Sequence, residues 1–192
     1  VEDLQGIRLP PAAAAIYEDS RREGFGLVSE PLTGCLLRTL VSSKPGGSFL
    51  ELGTGTGAAT AWILDGMDPR SSLVTVEHEE HLLSIARRHL GADPRVTFAR
   101  ADGNAFLREA RGSAFDLVFA DTWPGKYDSL ESALGLLEKG GLYVVDDMDP
   151  QPTWPPGHEA KVARFLRQLM TRTDLQVTKL SWASGIVIAA RV

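Results

Sequence analysis

The sequence predicts an α/β protein: an open sheet of seven strands, mostly parallel, with an antiparallel C-terminal hairpin and helices on both faces. Three observations predict this α/β/α sandwich. From Ser48 onward, short apolar runs alternate with helix-compatible stretches, the order expected of a parallel sheet covered on both sides. Those stretches carry apolar residues at helical spacing. Near the C-terminus, two β-branched-rich runs at 175–180 and 186–190 are separated only by SWASG. No crossover helix fits between them, so the last strand must run antiparallel to a neighbour.

Composition sets the limits. The 192 residues are 43% hydrophobic and 23% charged, with a net charge of −5, which is ordinary for one globular domain and excludes wholesale disorder. No apolar run approaches the ~20 residues of a bilayer span, so no membrane partner is expected. A pI near 5.4 argues against a nucleic-acid surface spread over the molecule, and no nucleic-acid partner is expected. Cys35 is the only cysteine, which excludes an internal disulfide and a cysteine zinc cage. The opening residues lack the basic segment and apolar core of a secretory signal, so the expected location is cytoplasmic.

Taken in order, Pro10 and Pro11 suit the start of a first helix that runs to about Glu23, where GFG breaks it. Ser29 is the expected cap of a second helix, with Pro31 in its first turn and Leu32, Leu36, Leu37 and Leu40 as its apolar stripe. SSKPGG at 42–47 closes this section, so residues 1–192 read as one domain with 1–45 as an N-terminal helical extension. Strands are expected at 48–52, 72–77, 95–99, 115–120 and 142–146. The fourth is followed by a helix with Tyr127, Leu130, Leu134 and Leu137 on one face, the fifth by one with Val162, Phe165, Leu166 and Leu169.

The richest segment is ELGTGTG at 51–57, between the first strand and a helix, where open α/β sheets bind ligands. Gly53, Gly55 and Gly57 let the backbone turn sharply and approach a ligand closely, with Thr54 between the first two. Gly53-x-Gly55-x-x-Ala58 also satisfies the dinucleotide fingerprint. Glu51 opposes that reading, because a carboxylate beside the loop repels a pyrophosphate. It suits instead the ammonium of an amino acid, or ordered water around one. The spacing G-x-G-x-G with an acid two residues earlier is the sulfonium-cofactor form of the loop. Glu77 ends the second strand about 20 residues on, placed to accept hydrogen bonds from both ribose hydroxyls of an adenosine. Asp102 and Gly103 form an acidic turn after the third strand, placed to meet an adenine amino group.

ELGTGTG, VEHEE at 76–80 and ADGNAF at 101–106 resemble the successive cofactor motifs of class I S-adenosylmethionine-dependent methyltransferases, from about Ser29 to the C-terminal hairpin. SEPLTGCLLRTL, FADTWPGKY and GGLYVVDDMDP are similar to the catechol and caffeoyl-CoA O-methyltransferase group. The resemblance implies a Rossmann-like fold and an enzyme that binds S-adenosyl-L-methionine. It implies O-methylation of a small, aromatic hydroxyl substrate, and homodimers are common in the group. Cofactor contacts are expected at Glu51, Gly53, Thr54, Gly55, Gly57, Glu77, Asp102, Gly103 and Asp121.

Asp121 ends the fourth strand, and Asp146 and Asp147 end the fifth, so three carboxylates gather on the edge that carries the glycine loop. Two carboxylates ~4 Å apart repel by roughly 4 kcal/mol at an effective dielectric near 20. Three must recruit a cation, share protons or stay widely solvated. Mg2+ or another hard divalent ion suits an all-oxygen set better than zinc. In the resembling group the corresponding metal ligands are Asp, Asp and Asn; here Asp147 replaces the Asn. The group's pattern D-x-x-K-x-x-Y is met by Asp121 and Tyr127, but Pro124 stands at the position of its candidate base. Lys126, two residues later, is the substitute candidate, with a solvated loop lysine as the plain alternative.

Trp123 and Trp154 follow the two acidic strand ends and suit either aromatic walls for a planar acceptor or loop packing. His158 opens the last helix as a cap or a substrate-facing group. His78 and His81 are three apart across a strand–helix junction, so they do not make a metalloprotease site. The rival functions are a metal-independent methyltransferase, a nicotinamide-dependent oxidoreductase and a non-enzymatic S-adenosylmethionine-binding regulator.

Overall fold

The computed structural model describes residues 6–110, 112–152 and 154–192. Its strands are β1 (Ser48–Leu52), β2 (Ser72–Glu77), β3 (Val96–Arg100), β4 (Phe115–Ala120), β5 (Leu137–Val145), β6 (Leu175–Leu180) and β7 (Ile186–Arg191). The helices are α1 (Ala13–Arg22), α2 (Pro31–Ser42), α3 (Ala58–Gly66), α4 (Glu80–Leu90), α5 (Gly103–Glu109), α6 (Leu130–Gly135) and α7 (His158–Met170). One sheet runs β3-β2-β1-β4-β5-β7-β6. All pairs from β3 to β5 are parallel, and β7 is antiparallel to both β5 and β6. The expected open sheet with a terminal hairpin is therefore the observed one.

Side chains alternate across each strand, and the sheet consequently has two cores. Leu50, Val118 and Tyr143 face one, with Val162, Phe165 and Leu169 of α7. Phe49, Leu117 and Val144 face the other, beneath Ile63 of α3, Leu37 of α2 and Ile16 of α1. Glu51 lies two residues from Phe49 and so points to this second face, into protein rather than along the sheet edge.

Three local expectations need correction. Leu137 lies in β5, not on the helix after β4: it pairs with Phe115, and a register shift separates that pair from Leu117–Leu142. Lys139-Gly140-Gly141 forms the irregularity, with Gly140 at φ 78°, so the strand begins five residues earlier than its apolar run. The third strand is displaced by one residue, to Val96–Arg100. Ser29 does not cap α2; the cap is Glu30, extended at φ −69° and ψ 156° ahead of Pro31. That frees the Ser29 hydroxyl for another partner.

The N-terminal helices are wired to the edge of the sheet. α2 crosses α3 so closely that a Cβ on Gly34 would lie 2.3 Å from the Trp62 ring. Fully buried Trp62 donates its Nε1–H to Tyr17 Oη at 3.1 Å. Tyr17 donates in turn to the Ser29 carbonyl at 3.1 Å. At the other end of the chain, Trp182 in the β6–β7 turn donates to the Leu32 carbonyl at 3.0 Å.

Candidate active site

Three recesses adjoin along the carboxyl edge of the parallel strands. The first, of about 260 Å3, lies against the glycine loop and Glu77, with Phe25 and Leu27 opposite. The second, of about 220 Å3, reaches over Glu77 to Asp102, Gly103 and Asn104. The third, of about 380 Å3, has Trp123, Tyr127, Trp154 and His158 in its walls and Lys126, Asp146 and Asp147 among its lining residues. Thr122 borders all three, and Ser29 and Asp121 border both the first and the third.

The loop is held from below. Gly53 and Thr54 donate their N–H groups to the Val76 carbonyl at 3.0 and 3.1 Å. Gly53, Gly55 and Gly57 all have positive φ, at 98°, 52° and 94°, which side chains with a Cβ rarely adopt. Gly57 does not border the recesses; a Cβ there would come within 2.9 Å of Ala86 Cβ. Its lack of a Cβ lets α3 start against α4.

Glu51 points into the protein. It is fully buried, and its Oε2 accepts from Thr60 and Thr75 hydroxyls at 2.5 Å each. Thr75 Oγ1 is in turn 2.5 Å from Thr54 Oγ1. Glu51 therefore ties the loop to β2 and α3 through hydroxyls. Oε1 has no partner among the described residues, and burial pushes the carboxyl from its ordinary 4.5 up to about 7.

That displacement predicts a pH effect. A carboxyl whose folded pKa is raised favours the native state most below its unfolded pKa, and the contribution is lost as pH rises through the folded value. Between pH 5 and 8 the loss is on the order of 3 kcal/mol. Glu51→Gln, which mimics the protonated acid, is expected to flatten the fall in melting temperature over that range. An unchanged slope in calorimetry would reject the assignment.

Glu77 is the last residue of β2. Its Oε2 accepts from Gly55 N at 2.9 Å, its Oε1 from the N–H groups of His78 and Glu79 at 2.9 and 3.0 Å, and the side chain borders the first and second recesses. Asp102 caps α5 by accepting from Ala105 N at 2.9 Å and also borders the second recess. His78 and His81 are exposed and pair with acids, His81 with Glu23 at 2.9 Å.

At the junction, Ser29 Oγ donates to Asp121 Oδ2 at 3.0 Å. Sequence reasoning missed this residue because a serine two positions before a proline reads as a helix cap. Burial raises the Asp121 pKa, the Lys126 ammonium pulls it down, and the Asp146 and Asp147 carboxylates add to the rise. Asp146 is buried; its Oδ1 accepts from Ser184 Oγ and from Asp147 N, and burial raises its pKa. Asp147 adopts a left-handed backbone at φ 64°.

Lys126 is not a solvated loop lysine. It is 4% exposed; Nζ donates to the Asp146 carbonyl at 2.9 Å and lies 3.7 Å from Asp121 Oδ1. The turn explains its position. Lys126, Tyr127 and Asp128 all direct their N–H groups at the Trp123 carbonyl, Gly125 has φ 88°, and Tyr143 Oη donates to the Gly125 carbonyl. A Cβ on Gly125 would lie 2.5 Å from Leu52 Cδ1, so only glycine lets the turn press onto β1 and deliver the lysine inward.

The expected divalent ion does not fit this arrangement. Among the described residues no group of three His, Cys, Asp or Glu side chains is placed to hold a metal. Asp121, Asp146 and Asp147 share a recess, but one Asp146 oxygen is engaged by Ser184 and the Asp147 backbone, and an ammonium stands beside Asp121.

The aromatic wall is continuous. Tyr127 packs edge-on against Trp123, His158 and Phe165, with ring centroids 6.0, 5.3 and 5.7 Å away. Trp154 lies 4.9 Å from His158, and Lys161 Nζ sits 3.4 Å above the Trp123 ring. His158 Nε2 is 3.1 Å from Tyr127 Oη. Burial and then the Lys161 and Lys126 charges lower the His158 pKa, which favours a neutral imidazole.

Residues 50–148 match the family model described as a methyltransferase domain, and the chain belongs to that family. A Mycobacterium avium protein named as an O-methyltransferase is 31% identical over 137 residues, which is 69% of this chain and 61% of that protein. The chain thus spans about three fifths of that curated relative. The O-methyltransferase TomG of Streptomyces achromogenes, solved with S-adenosylmethionine, superposes with a TM-score of 0.83 at 23% identity, covering 98% of this chain and 92% of TomG. An O-methyltransferase from Bacillus cereus, solved with S-adenosylhomocysteine, gives 0.85 at 21% identity, over 100% and 95%. The fold is that of class I methyltransferases. No described helix is long and apolar enough to cross a membrane.

Proposed function

We propose that this chain is an S-adenosylmethionine-dependent O-methyltransferase acting on a small aromatic hydroxyl compound. One observation carries the reading: the loop recess and the aromatic recess meet at Ser29, Asp121 and Thr122. A nucleoside on Glu77 and Asp102, with its amino-acid end along Gly53–Gly55, sets its sulfonium at that junction. A planar acceptor between Trp123, Tyr127 and Trp154 brings a hydroxyl to the same point. The names of the relatives favour transfer to oxygen.

In the reaction, an oxygen lone pair of the acceptor forms the new O–CH3 bond while the S–CH3 electron pair stays on sulfur, leaving S-adenosylhomocysteine. The hydroxyl proton passes to Asp121, the carboxylate at the junction. Holding both reactants in line supplies a large share of the rate, several kcal/mol in well-oriented systems. The segment before α2 belongs to the same functional unit in this reading, which is supported by Phe25 and Leu27 against the loop recess and by Ser29 reaching Asp121.

The test has two arms. Titration calorimetry with S-adenosylmethionine should show one site, and NAD should not bind. Incubation with methyl-labelled S-adenosylmethionine and a panel of phenols and catechols should label oxygen. Binding of NAD in place of S-adenosylmethionine, or label appearing only on nitrogen or carbon acceptors, would overturn the reading.

A further inference from the structure

We propose that the Lys126 ammonium is the resident cation of the acceptor recess, so that this enzyme transfers methyl groups without a divalent ion. The proposal rests on the methyltransferase reading above and concerns how its acidic site is neutralised. Lysine is almost never fully buried unless paired, yet Lys126 is 4% exposed in a recess it shares with Asp121, Asp146 and Asp147. One N–H of Nζ is committed to the Asp146 carbonyl at 2.9 Å, and Asp121 Oδ1 lies 3.7 Å away. An ammonium has three donors and no acceptor, which leaves an N–H for an acceptor oxygen in the recess.

A divalent ion entering the same group of carboxylates would have to stand beside that ammonium, and like charges at short range in a buried site repel strongly. The turn makes the lysine hard to displace. Gly125 is pressed onto Leu52, Tyr143 holds the Gly125 carbonyl, and the Trp123 carbonyl gathers three successive N–H groups. Lys126 thus does with one fixed charge what a metal does with two: it holds the acceptor oxygen and stabilises the negative charge left when the proton goes to Asp121.

Mn2+ binding followed by electron paramagnetic resonance tests this without any need for turnover. Wild type is expected to leave the free-Mn2+ signal undiminished, whereas Lys126→Ala, in which the loss of the ammonium frees the three carboxylates to turn toward one ion, should bind Mn2+ at least tenfold more tightly and melt higher in its presence. Lys126→Gln, whose amide can still donate to the Asp146 carbonyl, is a second variant should the alanine not fold. Mn2+ binding by wild type as tight as by the variants would overturn the proposal, as would variants that fold and still bind none. S-adenosylmethionine titrations on the same samples separate the two failures: loss of cofactor binding speaks against the methyltransferase reading, the Mn2+ result only against the role of Lys126.

Discussion

Asp121→Asn is expected to lower turnover by roughly 10²–10⁴-fold, the range for removing a positioned general base, while S-adenosylmethionine affinity stays within about tenfold. The amide has nearly the shape of the carboxylate and can still accept from Ser29, so the junction between the recesses keeps its form. It cannot take a proton from the acceptor. It also leaves the buried Lys126 without its carboxylate 3.7 Å away, and an unpaired buried charge is destabilising. A thermal melt should accompany the kinetics, so that lost activity is read against the folded fraction. Turnover of folded Asp121→Asn equal to wild type would remove Asp121 from the chemistry.

The second large effect is on stability and arises far from any ligand. Gly34→Leu should cost about 3 kcal/mol, the upper range for overpacking a tight core. In a domain of this size that lowers the melting temperature by about 6–12 °C. The Cβ alone would meet three Trp62 ring atoms at 2.3–2.4 Å, and Trp62 is fully buried with nowhere to go. Its displacement breaks the relay through Tyr17 to the Ser29 carbonyl, so S-adenosylmethionine affinity should fall as well. Gly135→Ala is the control: it is helical and a Cβ there meets nothing within 4 Å, so melting and binding should be unchanged or slightly improved. Equal melting temperatures for the two variants would show that the α2–α3 contact yields.

Most of the architecture is readable in the sequence because buried parallel strands announce themselves as short apolar runs between helical periods. β1, β2, β4 and β6 lie at their expected residues. β5 does not, because its first residues, Leu137 and Glu138, precede a glycine irregularity that looks like a loop when only side-chain type is read. The positions of Glu77 and Asp102 are legible because each ends or follows a strand on the edge that carries the glycine loop.

Glu51 and Lys126 show what spacing cannot convey. Glu51 sits one strand residue before the edge, and the face it takes follows from Phe49 two residues earlier, which a motif reading passes over. Lys126 depends on a left-handed Gly125 and on Tyr143, which comes from another strand. Neither the direction of that turn nor its anchor is written in the seven residues around it. Ser29 belongs with these, since its partner Asp121 is 92 residues away.

The place of β7 bears on how the molecule is made. Though it follows β6 in sequence, it lies between β5 and β6, and the turn before it supplies Ser184 to Asp146 and Trp182 to α2. On a ribosome, β6 therefore emerges with no partner to join, and the rim around Asp146 stays open until residues 181–191 clear the exit tunnel. The nascent chain should therefore close the glycine-loop end of the sheet edge well before the end that carries Asp146.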